Sequence, residues 1–178
     1  MIYTSDITES AAALNVAQLM CAAARTAPKG RGVDLIETLV LDGEDKDKLA
    51  ATMREIGEKT GQAFFIRDAG NMEAAHLVVL TGADVSKPRG LNCKLCGVED
   101  CAAASSGGIS CALTVSDLGI AVGSAASVAM DNRMDNRIMF SAGMAALKLK
   151  LFSDKVGICY GIPLATTGKS IFFDRPAL

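Results

Sequence analysis

Four of the six cysteines lie within one short stretch, at Cys93, Cys96, Cys101 and Cys111, with the spacing C-x2-C-x4-C-x9-C. Thiolates at such spacings can reach one soft metal centre, and four of them are the ligand set of an iron–sulfur cluster. A tight turn brings the C-x2-C pair together, and Gly97 follows it as a residue that adopts positive φ at little cost. The spacing therefore predicts a [4Fe–4S] cluster on these four cysteines.

The sequence specifies the fourth ligand less firmly than the first three. Cys111 has to return across a Ser-Ser-Gly-Gly segment, residues 105–108, which is flexible enough to allow it. The other two cysteines, Cys21 and Cys159, could take its place if the fold brought either of them near. Backbone N–H groups in such a loop point inward, and their hydrogen bonds to sulfur tune the reduction potential of a cluster.

Three other roles would use the same thiols. Structural zinc accepts four cysteines, but its usual signature has two separated C-x2-C pairs, whereas this chain has one. A redox dithiol at Cys93 and Cys96 leaves Cys101 and Cys111 without a role. Structural disulfides are disfavoured in a reducing compartment. Zinc, dithiol chemistry and thiols without any ligand role remain as alternatives to the cluster.

Composition limits the classes of partner. The chain has 178 residues, half of them apolar, which suits one domain with a real core. Its net charge of −2 and its lack of Trp argue against nucleic-acid binding. The first ten residues lack a basic signal-peptide region, and the longest small-apolar run, 118–130, is too short and too rich in Gly and Ser to span a bilayer. We therefore expect a cytoplasmic protein with no nucleic-acid or membrane partner.

Periodicity and turn residues predict a mixture of helices and strands. The predicted helices cover residues 5–25, 45–59, 62–75, 118–131 and 135–151. The predicted strands cover residues 35–41, 77–80 and 156–160, with a short fourth strand at 171–173. Gly119 and Gly123 leave one side of the helix at 118–131 nearly bare. Such a surface lets a backbone, a subunit or a flat cofactor approach closely, and tight helix packing uses it equally well.

Weaker motifs surround this framework. The segment 167–170 looks like the end of a phosphate-binding loop, but six residues separate Gly161 from Gly168, where the motif requires four. Arg25 and Lys29 flank a glycine-containing turn that could cradle a phosphate, although a solvated loop has the same composition. The only histidine, His76, has no neighbouring arrangement for a catalytic triad.

Several motifs together carry a family resemblance. They are Gly90-Leu-Asn-Cys93, Cys96-Gly97, Cys101, 117–124, Asp135-Asn-Arg137, Gly161-Ile-Pro163 and 168–175. In this combination the chain resembles uncharacterised bacterial and archaeal proteins described as containing a ferredoxin domain. The resemblance spans nearly the whole chain and implies a cluster on the four cysteines, but it implies no particular reaction. Lys94 and Leu95 depart from it, because small residues are expected between the first two cysteines.

A second resemblance extends over the early and late parts of the chain. The segments 23–28, 45–49, 117–121 and 160–163 are similar to those of FMN-dependent nitroreductases. This implies an α+β fold, with a central sheet flanked by helices, and a homodimer with FMN between its subunits. The phosphate-binding candidates that it implies are Arg25, Lys29, Lys169 and Arg175. The pair of arginines that grips the FMN phosphate in nitroreductases has no counterpart before the first helix.

These observations lead to one interpretation and two alternatives. We expect a single nitroreductase-like domain, residues 1–178, with a cysteine segment, residues 90–112, inserted before the helix at 118–131. The cluster would pass single electrons, and a flavin would couple them to a two-electron substrate. The partner would be a redox protein or a small molecule. The alternatives are a non-enzymatic electron carrier or redox sensor, and a zinc-stapled structural domain.

Overall fold

The computed structural model describes residues 1–173. A four-stranded sheet and its flanking helices make up most of this part of the chain, and a 3-10 turn, Gly30–Gly32, follows the first helix. In chain order the elements are α1 (Ser5–Thr26), β1 (Ile36–Asp42), α2 (Gly43–Thr60), α3 (Ala63–Ala74), β2 (Leu77–Ala83), α4 (Cys101–Ser106), α5 (Ala112–Asp131), β3 (Asp135–Asn136), α6 (Phe140–Lys148) and β4 (Ile158–Ala165).

The sheet has the order β1-β2-β4-β3, and each neighbouring pair is antiparallel. Every residue of β2 is buried, because this strand lies inside the sheet and both of its faces are covered by helices. Its unbroken apolar run is typical of such a strand. Leu80 of β2 stands opposite Leu39 of β1 and Gly161 of β4. The α+β architecture that the sequence predicts is confirmed.

Side chains of β2 alternate between two hydrophobic cores, as the two-residue period of a strand requires. Leu77 and Val79 join the core beneath α1 and α5, which also contains Met20 and Leu118. Val78 and Leu80 face the other core, beneath α2, α3 and α6. Its large members are Leu49, Met53, Phe65, Met72 and Met139. The sheet is therefore the middle layer between two sets of helices.

The C-terminal third differs from the sequence prediction in two regions, one before β4 and one after it. The segment predicted as one helix over 135–151 contains the short strand β3, which pairs with the end of β4, and α6 begins only at Phe140. Residues 171–173 form a turn, so the predicted fourth strand there is wrong. The Arg137 guanidinium donates a hydrogen bond to the Phe172 carbonyl, 3.1 Å away. This contact holds the turn beside β3 without extending the sheet.

Helix α5 is longer than the predicted helix because it begins at Ala112, directly after Cys111. Its 20 residues are apolar enough, by length and composition, to cross a membrane, and 39% of its most apolar window is buried. The expectation that this region is too short to span a bilayer is therefore wrong as far as length is concerned. Core helices of globular domains pass the same test. Leu118, Ala121 and Ala125 of α5 are fully buried in the core that it shares with α1.

Candidate metal centre

The loop between β2 and α5 carries all four cysteines of the predicted site. Cys93 is exposed, Cys96 and Cys101 are half-buried, and Cys111 is buried. They line a common cavity, here called the cysteine cavity. The other residues that line it are Arg89, Leu91, Lys94, Val98, Asp100, Ala104 and Leu113. The fold therefore brings the four cysteines of the C-x2-C-x4-C-x9-C spacing to one place.

The two remaining cysteines lie elsewhere in the fold. Cys21 is on α1, where it packs against the core beneath that helix, and Cys159 is buried in β4. Neither of them lines the cysteine cavity. Burial raises the pKa of both thiols, and that of Cys159 reaches about 12, so both favour the neutral form. Cys111 is thus the cysteine that the fold places beside the other three.

Left-handed backbone conformations shape the turn between the first two cysteines. Gly97 has φ +78° and its N–H donates to the Lys94 carbonyl, 3.0 Å away, which closes the turn around Cys96. The predicted positive φ at Gly97 is confirmed. Lys94 itself has φ +62°, a conformation that an L-residue adopts at some cost. Its ammonium pairs with Glu99 Oε1 at 2.5 Å, across the exposed side of the turn.

Backbone N–H groups donate to two of the sulfur atoms. The N–H of Asn92 lies 3.4 Å from Cys101 Sγ, and the N–H of Ala112 lies 3.3 Å from Cys96 Sγ. These donors lie near the two ends of the cysteine segment, whereas the sequence directed attention to the Ser-Ser-Gly-Gly loop within it. Asp100 caps α4 by accepting from the N–H of Ala103 at 2.8 Å, so Cys101 stands in the first turn of a short helix.

Cys111 occupies the N-cap position of α5. Burial alone would raise the pKa of its thiol, but hydrogen bonds from the backbone of Thr114, Arg89 and Leu113 outweigh burial and lower the pKa below its usual value. The N-terminus of a helix favours a thiolate for the same reason. The Cys111 N–H donates to the Val85 carbonyl at 2.9 Å, which fixes the residue against the end of β2. Cys111 therefore combines a rigid position with a tendency to ionise.

A buried ion pair adjoins the cysteine cavity. Arg89 Nη2 lies 2.5 Å from Asp117 Oδ2, and the side chains are 3% and 7% exposed. The Asp117 carboxylate also accepts from the N–H of Gly30 at 3.0 and 3.1 Å, and Arg31 Nη1 donates to the Arg89 carbonyl at 2.7 Å. These contacts join the 3-10 turn, the cysteine loop and α5. Sequence analysis missed Arg89, since a lone arginine in a loop forms no pattern.

The cations predicted to hold a phosphate near α1 already have partners within the chain. Arg25 Nη1 donates to Asp34 Oδ2 at 2.5 Å and to the Ile36 carbonyl at 2.8 Å. Lys29 Nζ donates to three carbonyls at the end of α1, which it caps. A phosphate bound at this turn would have to replace these contacts. Lys169 lies after β4, where its carbonyl accepts from Thr167 Oγ1 at 2.6 Å, and Arg175 lies outside the described residues.

The arrangement of the cysteines bears on the kind of metal that would fit. Among residues 1–173, no three His, Cys, Asp or Glu side chains are placed to hold a single metal ion. A zinc ion requires each of its thiolates at about 2.3 Å from one atom. The four cysteines line one cavity, and four thiolates are the ligand set of an iron–sulfur cluster. The donor types present therefore fit such a cluster.

Solved structures with the same architecture are nitroreductases. The nitroreductase CinD from Lactococcus lactis, in complex with chloramphenicol, has a TM-score of 0.61 at 17% identity over 90% of this chain and 84% of that one. A putative nitroreductase from Desulfovibrio desulfuricans, in complex with FMN, has a TM-score of 0.58 at 15% identity over 92% and 80%. At such identities the similarity shows the fold alone. The nitroreductase-like fold expected from the sequence is confirmed.

Sequence comparison is more specific. An uncharacterised protein of Archaeoglobus fulgidus is 40% identical over 167 residues, which cover 89% of each chain. The family model of uncharacterised proteins containing a ferredoxin domain matches residues 107–175, a range that includes Cys111 and lies beyond the other three cysteines of the site. The resemblance stated from the sequence motifs is therefore correct. The chain belongs to this family of uncharacterised ferredoxin-domain proteins, on a nitroreductase-like fold.

Proposed function

We propose that the protein is an iron–sulfur redox protein that holds a [4Fe–4S] cluster on Cys93, Cys96, Cys101 and Cys111. One observation carries this proposal: the four cysteines line a single cavity, and the chain's other two cysteines do not. A bound cluster would supply one-electron chemistry. The ferredoxin-domain family to which the chain belongs supports the same conclusion.

The residues around the cavity are suited to hold a negatively charged group. The N–H groups of Asn92 and Ala112 donate to the sulfurs of Cys101 and Cys96. Such hydrogen bonds stabilise thiolates and tune the potential of the group they bind. The buried Ala104 and the half-buried Leu113 add apolar lining that limits the approach of water.

Electrons would enter and leave through the exposed side of the turn. Cys93 is exposed, and it is flanked by Leu91 and Leu95, whose side chains are also exposed. The two leucines therefore leave apolar surface beside the exposed thiol. We propose that a redox partner or a small-molecule acceptor approaches here.

The test is anaerobic preparation of the full chain with iron, sulfide and zinc assays and an absorption spectrum. About four irons and four sulfides per chain are expected, with loss of loading in Cys101→Ser. Cys159→Ser is the matched control, because Cys159 lies away from the cavity, and it should retain the cluster. Zinc without iron in the anaerobic preparation would overturn the proposal and move the protein to the zinc-stapled class.

A flavin-linked oxidoreductase is the second candidate, favoured by the fold shared with nitroreductases. The structure of a nitroreductase from Desulfitobacterium hafniense with bound FMN aligns with 100% of this chain, with a TM-score of 0.58 at 12% identity. In this version, two one-electron transfers from the cluster would match one two-electron reduction of a small-molecule substrate. The candidate phosphate ligands remain Arg25, Lys29, Lys169 and Arg175.

A homodimer is part of this second candidate. The exposed face of α5 carries Gly119, Ile120, Gly123 and Met130, and a Cβ added at either glycine would meet nothing within 4 Å. That face would let the same helix of a second copy, or a flat cofactor between two copies, approach closely. FMN titration followed by flavin fluorescence separates the enzyme from the simple carrier, since only the former binds FMN. A cytoplasmic location, where thiols stay reduced, is consistent with both candidates.

A further inference from the structure

Arg89 is a buried cation whose hydrogen-bonding capacity is only partly used. Its Nη2 donates to Asp117 at 2.5 Å, whereas its buried Nε and Nη1 have no partner among the described residues. An unpaired buried donor is destabilising, and the effect is larger for a charged group. The guanidinium therefore has spare donors in a place where water does not reach them.

The position of Arg89 relates these donors to the proposed metal centre. Arg89 lines the cysteine cavity together with Cys93, Cys96, Cys101 and Cys111. A guanidinium is a rigid fork of donors that stays charged at all accessible pH values. Sulfur atoms that carry negative charge are acceptors for such a fork.

Asp117 holds the guanidinium in place and has little capacity left of its own. It accepts from Arg89 and twice from the N–H of Gly30, so both carboxylate oxygens are occupied. Asp117 does not line the cavity, whereas Arg89 does. Of the two members of the ion pair, only the positively charged residue therefore lines the cysteine cavity.

We propose that Arg89 is the electrostatic partner of the cluster and raises its reduction potential, with Asp117 as the positioning residue that also offsets part of this effect. This inference rests on the proposed cluster. Reduction adds one electron, supplied by a dithiol, a ferredoxin-type donor or an electrode, and makes the site more negative by one charge. A fixed positive charge beside the cavity favours that reduced state.

The experiment compares midpoint potentials of reconstituted full-length variants, with iron and sulfide measured in each sample. In Arg89→Gln the ratio of reduced to oxidised cluster at a fixed potential should fall at least tenfold, which is a midpoint lower by about 59 mV. Asp117→Asn removes the offsetting charge, so its midpoint should rise. The control is Lys87→Gln, which removes an equal charge from a side chain that is 61% exposed. Its midpoint should stay near that of the parent because solvent screens exposed charges.

The midpoint potentials of the two variants should shift in opposite directions, and this distinguishes an electrostatic role of the ion pair from a structural one. Loosening of the site would move Arg89→Gln and Asp117→Asn in the same direction, and that result, or equal midpoints in loaded protein, would overturn the inference. If Arg89→Gln does not fold, Arg89→Lys and Asp117→Asn provide the test. In Arg89→Lys the ratio of reduced to oxidised cluster should stay within tenfold of the parent's, and in Asp117→Asn the midpoint potential should rise. Absence of iron and sulfide from the parent protein would instead reject the proposed function itself.

Discussion

Asn92 and Cys101 are joined by two reciprocal hydrogen bonds. The N–H of Asn92 lies 3.4 Å from Cys101 Sγ, and the N–H of Cys101 lies 3.0 Å from Asn92 Oδ1. Asn92 has φ +45°, a conformation that Asn tolerates better than most residues because its short polar side chain bonds locally. One residue thus holds the turn before Cys93 against the start of α4.

Asn92→Gly is expected to weaken cluster retention without straining the backbone. Glycine accepts the positive φ but cannot accept the hydrogen bond from Cys101, so about 1 kcal/mol of support is lost. Iron release to a chelator should become roughly fivefold faster. The measurement is the decay of cluster absorbance under anaerobic conditions. Lys87→Ala, a change at an exposed residue of the same loop that does not line the cysteine cavity, is the control, and equal release rates for the two variants would contradict the prediction.

Thiol labelling of the cluster-free protein should follow burial and pKa. At about pH 8, iodoacetamide should modify the exposed Cys93 first and leave Cys159 unmodified, because burial raises the pKa of the Cys159 thiol to about 12. Mass spectrometry of peptides taken over time gives the order. Denatured protein, in which all six cysteines should react, is the control. Early labelling of Cys159 in folded protein would contradict the structure.

The raised pKa of the Cys159 thiol predicts a change in the free energy of unfolding at alkaline pH. The pKa of Cys159 is higher in the folded state than its ordinary value of 9.0, so the unfolded chain loses this proton first as the pH rises. The contribution of Cys159 is therefore complete below about pH 9 and is lost progressively towards pH 12. Urea unfolding at several pH values should show a shallower alkaline decline in Cys159→Ala. Parallel declines in the variant and the parent would reject this assignment.

Two glycine-to-alanine changes should have opposite effects on folding. A Cβ at Gly143 of α6 would lie 1.7 Å from the Cys159 carbonyl oxygen, so Gly143→Ala must separate α6 from β4. We expect a loss of about 3 kcal/mol or more in the free energy of unfolding. Gly70 of α3 has open space around it, and Gly70→Ala should stabilise by about 1 kcal/mol through helix propensity. Urea unfolding of both variants measures the difference, and similar values for the two would be the contrary result.

The proposed homodimer predicts that a charge on the exposed face of α5 disrupts self-association. Ile120 is 44% exposed there, and Ile120→Glu would place a carboxylate in an apolar interface, at a cost of several kcal/mol. Light scattering after size exclusion should show a monomer. Met144→Glu, on the exposed side of α6 in the opposite layer, is the matched control and should leave the mass unchanged. A monomeric parent protein would reject the dimer without affecting the cluster.

Much of the fold could be predicted from the sequence because its signals are local. The helical periodicity and the apolar run of β2 both act over a few residues, and the elements that they indicate are present. The first residues of the predicted helix at 135–151 and the strand at 171–173 were wrong for the opposite reason. Pairing with the end of β4 decides that Asp135–Asn136 is a strand, and this contact joins residues about 30 positions apart.

The features of the candidate site also fall into those that the local sequence predicts and those that depend on long-range contacts. The sequence by itself determined the cysteine spacing, the turn at Gly97 and the family, because these depend on residue type and short-range geometry. Only the tertiary structure decided that Cys111, rather than Cys21 or Cys159, lies beside the other three cysteines. It also decided that Arg89 meets Asp117, 28 positions away, at the wall of the same cavity. Such long-range contacts depend on how α5 packs beneath the sheet, and no local sequence pattern encodes that packing.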